Sequence, residues 1–134
     1  MVGIVIISHG EMATGMLEAA RMIIGEQEGI VPIVLREADD VEGLKQRIEA
    51  AIQQVDNGDG VLIMVDLFGA TPFNVSARIA LARDGVEVIT GMNLPMLLEV
   101  AMQRQDHNFA GLIEIAKEAA KGSVRTLSES LGKR

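Results

Sequence analysis

Cysteine, tryptophan and tyrosine are absent from this chain of 134 residues, and histidine occurs only twice. The absence of cysteine excludes disulfides, thiolate nucleophiles, iron–sulfur clusters and cysteine-bound zinc. Two histidines are too few for a three-histidine metal site. The remaining candidate nucleophiles are His9, His107 and the serine, threonine, lysine and carboxylate side chains, and we predict neither a metal nor an organic cofactor.

Positive charge and aromatic rings are also scarce. The chain has 12 Lys and Arg against 19 Asp and Glu, a formal net charge of −7, and its only aromatic side chains apart from histidine are three phenylalanines. A protein that binds nucleic acid needs a basic surface for phosphates, and stacking on bases needs aromatic rings. We therefore expect no nucleic-acid partner.

Long hydrophobic runs are missing as well. The first apolar run, at residues 2–7, follows no basic segment and ends at Ser8, so it predicts a buried strand instead of a signal peptide. No run approaches the roughly 18 residues of a membrane span. We expect one cytoplasmic domain over residues 1–134, without a fused second domain.

Apolar residues alternate between strand and helix patterns along the chain. Continuous β-branched runs predict strands at residues 2–7, 30–35, 61–65 and 86–90. Helical spacing predicts helices near residues 12–24, 41–55, 71–83, 95–102 and 109–121, with a short strand at 124–127. Asp39 and Asp40 are candidate caps of the second helix, and Thr71 is a candidate N-cap of the third.

The alternation predicts an α/β fold, a doubly wound and mostly parallel sheet flanked by helices. Such sheets hold their sites outside the carboxyl ends of the strands, at the point where the strand order reverses. In the common order 2-1-3-4, that point lies between strands 1 and 3. It would bring His9, after strand 1, close to Asp66, after strand 3.

A carboxylate that accepts from one imidazole nitrogen leaves the other nitrogen as a nucleophile. Gly10 leaves space beside the His9 ring, and the helices that begin near Glu11 and Thr71 would direct free N–H groups at the same place, as a phosphoryl group requires. Taken singly, His9 fits a hydrogen-bonded surface residue, while Asp66 and Thr71 fit helix caps. Together at two strand ends, they favour a site.

A site at His107 and a receiver domain both carry less weight than a site at His9. His107 lies in a polar stretch, which is typical of a solvated loop residue. A response-regulator receiver domain also has an aspartate after its third strand, but it needs further acids after strand 1 for magnesium, and this chain has Ser8-His9-Gly10 there. A flavodoxin-like binding domain without phosphoryl chemistry remains an alternative.

Three segments carry a resemblance to a known family. They are Gly-Ile-Val-Ile-Ile-Ser-His-Gly at 3–10, Asp-Leu-Phe-Gly-Ala-Thr-Pro-Phe-Asn at 66–74 and Thr-Gly-Met-Asn-Leu-Pro-Met at 90–96. Together they resemble the enzyme IIA domain of the mannose-type phosphoenolpyruvate-dependent sugar phosphotransferase system. The resemblance extends over essentially the whole chain. One departure is Ala70-Thr71, where the family often has Gly-Ser.

The resemblance implies roles for individual residues. His9 would accept a phosphoryl group from phospho-HPr as a phosphohistidine and pass it to an enzyme IIB component, which serves the membrane components IIC and IID. Asp66 would orient the ring, and Thr71 and Gly10 would lie beside the phosphoryl group. Phe68 and Leu94 are candidate docking residues. The alternatives are a regulatory phosphocarrier without its own transporter and a phosphocarrier subunit of dihydroxyacetone kinase.

The resemblance also implies a homodimer. Family members exchange a last strand, antiparallel to the others, between their subunits. In this chain that strand would lie at residues 124–127, after a hinge at Gly122.

Overall fold

The computed structural model describes residues 1–132 and contains four strands and six helices in that range. The strands are β1 (Gly3–His9), β2 (Ile30–Leu35), β3 (Val61–Val65) and β4 (Val86–Ile89). The helices are α1 (Met12–Ile24), α2 (Val41–Val55), α3 (Thr71–Leu81), α4 (Leu94–Gln103), α5 (Phe109–Gly122) and α6 (Leu127–Ser130). The alternation predicted from the sequence is confirmed, with element ends displaced by two residues or fewer up to α5.

The four strands form one parallel sheet in the order β2-β1-β3-β4. The chain moves outward from β1 to β2, crosses over to β3 on the other side of β1, and continues to β4. The reversal leaves β1 and β3 side by side, with Ile7 opposite Val65 at their carboxyl ends. The predicted doubly wound sheet is confirmed, and its switch point lies between these two strands.

Helices cover both faces of the sheet. Ile4 and Ile6 of β1 pack into the cluster that includes α1, α4 and α5, whereas Val5 and Ile7 pack into the cluster that includes α2 and α3. Successive side chains of a strand point to opposite faces, so each face of β1 is buried under helices. This double burial explains why the first strand is a continuous apolar run.

Helix α2 begins where the sequence indicates. The Asp40 side chain accepts from the Gly43 N–H at 2.7 Å and is its N-cap, as predicted. Helix α3 differs by one residue, because Ala70 has the extended N-cap conformation and Thr71 is the first helical residue. The predicted capping role of Thr71 is therefore wrong. Because the backbone of Thr71 is already helical, its side chain lies inside the first turn and does not have the N-cap position.

The predicted strand at residues 124–127 is not formed in the single chain. Residues 124–126 are irregular, and α6 begins at Leu127. The reason is a capping box, in which Thr126 and Glu129 each bond the other's backbone N–H and start a helical turn. Exchange of this segment between two subunits stays a prediction.

Candidate functional site

His9 and Asp66 meet at the switch point of the sheet. His9 is the last residue of β1, and Asp66 follows directly after β3. The Asp66 Oδ2 lies 2.8 Å from the ring Nδ1 of His9 and accepts the His9 backbone N–H, also at 2.8 Å. The aspartate side chain is only 11% exposed, whereas the histidine side chain is 51% exposed. The sequence prediction that these two residues lie together is confirmed by this geometry.

The contact with Asp66 sets the state of the imidazole ring. The carboxylate is an acceptor, so Nδ1 carries the hydrogen and donates it to Oδ2. In a neutral imidazole with this tautomer, Nε2 carries the lone pair. Because the same Oδ2 also holds the backbone of His9, the ring and its strand are fixed by one atom. The result is a nucleophilic nitrogen that faces outward from the carboxyl edge of the sheet.

Ser8 builds the turn that follows the histidine. Its side chain is fully buried, accepts from the Ala13 N–H at 2.7 Å and donates to the Gly10 carbonyl at 3.0 Å. Gly10 has a φ of +56°, which glycine adopts without strain, and its N–H donates to the Leu35 carbonyl at 2.8 Å. Apart from its two chain neighbours, no atom lies within 4 Å of where a Gly10 side chain would begin, so this side of the turn is open.

The role of Ser8 was not predicted from the sequence. The sequence feature that could have indicated it is a serine placed just before the predicted helix. In the structure, the N-cap residue of that helix, Glu11, makes no side-chain capping bond. Ser8 replaces that missing cap from outside the helix, because its hydroxyl satisfies one of the first N–H groups of α1.

Ser8→Ala is expected to lower the free energy of unfolding by about 1–3 kcal/mol, since the buried Ala13 N–H loses its acceptor. Urea unfolding followed by circular dichroism measures the loss. Ser130→Ala, at an exposed position of α6, is the control and should change stability by less than about 0.5 kcal/mol. Equal stability of the Ser8 and Ser130 variants would show that the Ser8 hydroxyl is dispensable.

The amino terminus of α3 opens at the same edge of the sheet. The Asn74 N–H donates to the Ala70 carbonyl as the first bond of the helix, so the N–H groups of Thr71 and Phe73 precede the helical ladder. Pro72 has no N–H, and within residues 1–132 no side chain caps this end. The partial positive charge of the helix end and the exposed Thr71 suit a group with negative oxygens.

The two predicted docking residues differ in exposure. Phe68 is 73% exposed, and its ring packs against Phe73 with 4.6 Å between centroids. Leu94 is half-buried at the start of α4 and packs against the core. Phe68 is therefore available to a partner, whereas Leu94 offers only part of its side chain. The docking role of both residues remains a prediction.

The second histidine lies away from this group. His107 is exposed in the turn between α4 and α5, and its Nδ1 is 3.2 Å from the Gln103 carbonyl. It lines a cleft with Met1 and Asp59, at the amino-terminal edge of the sheet. Among the described residues no carboxylate bonds its ring, in contrast to His9.

An ion pair borders the turn at His9. Arg36, the residue after β2, donates from Nη2 to the Glu11 carboxylate, and Thr14 donates to the same carboxylate at 3.0 Å. These hydrogen bonds, that of Arg36 above all, lower the pKa of Glu11 below its ordinary value, so this side chain is ionised at neutral pH. The pairing was not foreseen, because residues 11 and 36 come together only when β1 and β2 pair.

A metal site and a membrane-spanning helix are two further features that the described residues could carry. Among residues 1–132, no three His, Asp or Glu side chains lie close enough together to hold a metal ion. In the same range, no helix has the length and apolar character needed to cross a membrane.

The fold and the site define a doubly wound α/β domain with a carboxylate-oriented histidine exposed at its switch point. A family model described as "PTS system fructose IIA component", EIIA-man, matches residues 3–117. The chain therefore belongs to the mannose-type family of enzyme IIA components of the phosphotransferase system (PTS), and the resemblance noted in its sequence is confirmed.

Individual relatives agree with this assignment. The sorbose-specific EIIA component of Lacticaseibacillus casei is 32% identical over 128 residues, which cover 96% of this chain and 92% of that protein. The mannose-specific EIIAB component of Escherichia coli K12 is 37% identical over 127 residues, 94% of this chain. The chain spans only 39% of the length of that EIIAB relative.

Solved structures show the same fold. A phosphotransferase system component EIIA from Streptococcus agalactiae superposes with a TM-score of 0.89 at 25% identity, over 96% of this chain and 99% of that one. A mannose/sorbose-specific IIA subunit from Enterococcus faecalis superposes with a TM-score of 0.84 at 26% identity, over 93% of each chain.

Proposed function

We propose that the chain is a histidine phosphocarrier that accepts a phosphoryl group from phospho-HPr on His9 Nε2 and passes it to an enzyme IIB component. The observation that carries this proposal is the contact of His9 Nδ1 with Asp66 on a half-exposed side chain, which leaves Nε2 available as the nucleophile. Membership of the EIIA-man family supports the same conclusion.

The chemistry follows from the positions of the groups. The Nε2 lone pair attacks phosphorus in line with the leaving nitrogen of the donor, so one P–N bond forms while the other breaks. The imidazole becomes more positive as the bond forms, and the Asp66 carboxylate stabilises that charge through Nδ1–H. The N–H groups at the start of α3 and the Thr71 hydroxyl bind the phosphoryl oxygens, while Gly10 leaves room for the donor.

Partners and location are part of the proposal. The phosphoryl donor is phospho-HPr, the acceptor is IIB, and the membrane components IIC and IID act indirectly. The chain forms a homodimer, and transfer takes place in the cytoplasm. No cofactor takes part. Relatives are named for mannose, fructose and sorbose, so the proposed role is sugar uptake, without assignment of one sugar.

Reconstituted transfer tests the function. The protein is incubated with labelled phosphoenolpyruvate, enzyme I and HPr, and then digested for mass spectrometry. We expect one phosphate per chain, labile in acid and stable in base, on the peptide that contains His9. Omission of HPr should abolish the label, and absence of label in the complete mixture would refute the proposal.

Phe68→Ala is expected to slow transfer both from HPr and to IIB by about ten-fold, because an exposed aromatic ring beside a site is a common anchor of protein interfaces. Rapid-quench measurement of both rates provides the test. Leu81→Ala is the matched control, since Leu81 is 89% exposed at the far end of α3. Unchanged rates in both directions would remove Phe68 from the docking surface.

A further inference from the structure

The turn after β1 carries charges that the proposed chemistry has not yet used. The Asp66 carboxylate lies on the His9 ring, and Glu11 carries a second carboxylate two residues along the chain, in the same turn. A phosphoryl group on His9 adds about two negative charges. Without a cation, the loaded site would therefore hold three anionic groups.

Arg36 is placed to supply that cation. His9 is the register partner of Leu35 in the β1–β2 pair, and the Gly10 N–H donates to the Leu35 carbonyl. Arg36 is the next residue, so its backbone lies beside the turn from His9 to Glu11. Its guanidinium is tied to that turn through Glu11, and both side chains are exposed and free to rearrange.

We propose that Arg36 binds the phosphoryl group on His9, and that Glu11 is a positioning residue that holds the guanidinium beside the empty site. This inference rests on the proposed phosphocarrier function. When the phosphoryl group arrives, its oxygens compete with the Glu11 carboxylate for the donors of Arg36. Planar guanidinium groups bind phosphates through paired hydrogen bonds, which makes arginine suited to this exchange.

The two residues then act in opposite directions on the phosphorylated state. Loss of Arg36 removes a cation that the loaded site needs, whereas loss of the Glu11 charge removes both a repulsive anion and a competitor for Arg36. Arg36→Gln should therefore favour the free histidine, and Glu11→Gln should favour the phosphohistidine. Arg36→Lys keeps the charge without the planar fork and should lie between wild type and Arg36→Gln.

The equilibrium constant for transfer between HPr and this chain tests the inference. Contacts made only in the transient complex cancel from this constant, so a docking role of Arg36 would change rates and leave the ratio of phosphorylated to free chain unaltered. Relative to wild type, we expect that ratio to fall about three-fold in Arg36→Gln and to rise about three-fold in Glu11→Gln. Both shifts should shrink at 1 M salt, because the groups are exposed.

The pair formed by Glu18 and Arg21 on α1 provides the matched control. It is also an exposed ion pair, with 2.6 Å between charged atoms, but it lies toward the end of α1 that is remote from His9. Glu18→Gln and Arg21→Gln should leave the ratio at the wild-type value. The inference is overturned if the ratio is unchanged in both Arg36→Gln and Glu11→Gln, or if it shifts in the same direction in both. The phosphocarrier function would still stand in that case, provided that wild type is labelled. Unlabelled wild type overturns both.

Discussion

His9→Gln is expected to take up no phosphate from phospho-HPr, and this is the largest effect that the structure predicts. Glutamine has no nucleophilic nitrogen, because the lone pair of an amide is delocalised into its carbonyl group. The side chain at position 9 is half exposed, so its replacement leaves the core intact and the protein folded. Label incorporation with enzyme I and HPr, together with a circular dichroism spectrum, measures both points.

His107→Gln is the matched control for that variant. The imidazole of His107 is exposed in a turn at the opposite edge of the sheet, and no carboxylate within residues 1–132 bonds its ring. It should accept the label at the wild-type rate. Retention of acid-labile phosphate by His9→Gln, or its loss from His107→Gln, would move the site away from the switch point.

Asp66→Ala is expected to slow phosphorylation of His9 by about 10³-fold, as observed when a preorganised charge and the ring orientation are lost together in other enzymes. The alanine leaves Nδ1 without an acceptor, so the ring turns freely and either nitrogen carries the hydrogen. It also removes the anion that stabilises positive charge on the ring during P–N bond formation. Quench-flow labelling under single-turnover conditions gives the rate.

Asp66→Asn separates those two contributions. The His9 backbone N–H is a donor and requires an acceptor at the position of Oδ2. The oxygen of the asparagine amide therefore takes that position and keeps both bonds to His9. Its NH₂ group then replaces Oδ1, a buried atom without a hydrogen-bond partner within residues 1–132. The ring orientation survives and the charge does not, so the rate should fall between wild type and Asp66→Ala.

The control for these variants is Asp84→Asn, an exposed loop residue before β4, which should be phosphorylated at the wild-type rate. If Asp66→Ala were as fast as this control, orientation of His9 by the carboxylate would be excluded as a source of reactivity.

Local patterns sufficed for the strands and helices. The pairing of His9 with Asp66 also required the common strand order 2-1-3-4, which the sequence alone does not determine. An apolar run such as residues 61–65 favours a strand buried on both faces, and two such strands at a switch point bring their ends together. The site was therefore predictable as far as it depends on strand ends.

The parts that were not predicted depend on side-chain contacts between separate segments. The bond from Ser8 to Ala13 follows from the conformation of one turn, and the ion pair of Glu11 with Arg36 requires the register of β1 against β2. Residues 124–127 have β-branched character, but the local capping box prevails in a single chain. The conformation of so short a segment depends more on the groups that it packs against than on the β-propensity of its residues.

The separation of 57 positions between His9 and Asp66 has a consequence for the order of events during synthesis. When β1 leaves the ribosome, the aspartate that orients its histidine has not yet been translated. The imidazole is then an ordinary side chain whose ring hydrogen can occupy either nitrogen. It is oriented by a carboxylate only after β3 has entered the sheet beside β1. Under the proposed function, we expect nascent chains that end before Asp66 to be poor phosphate acceptors.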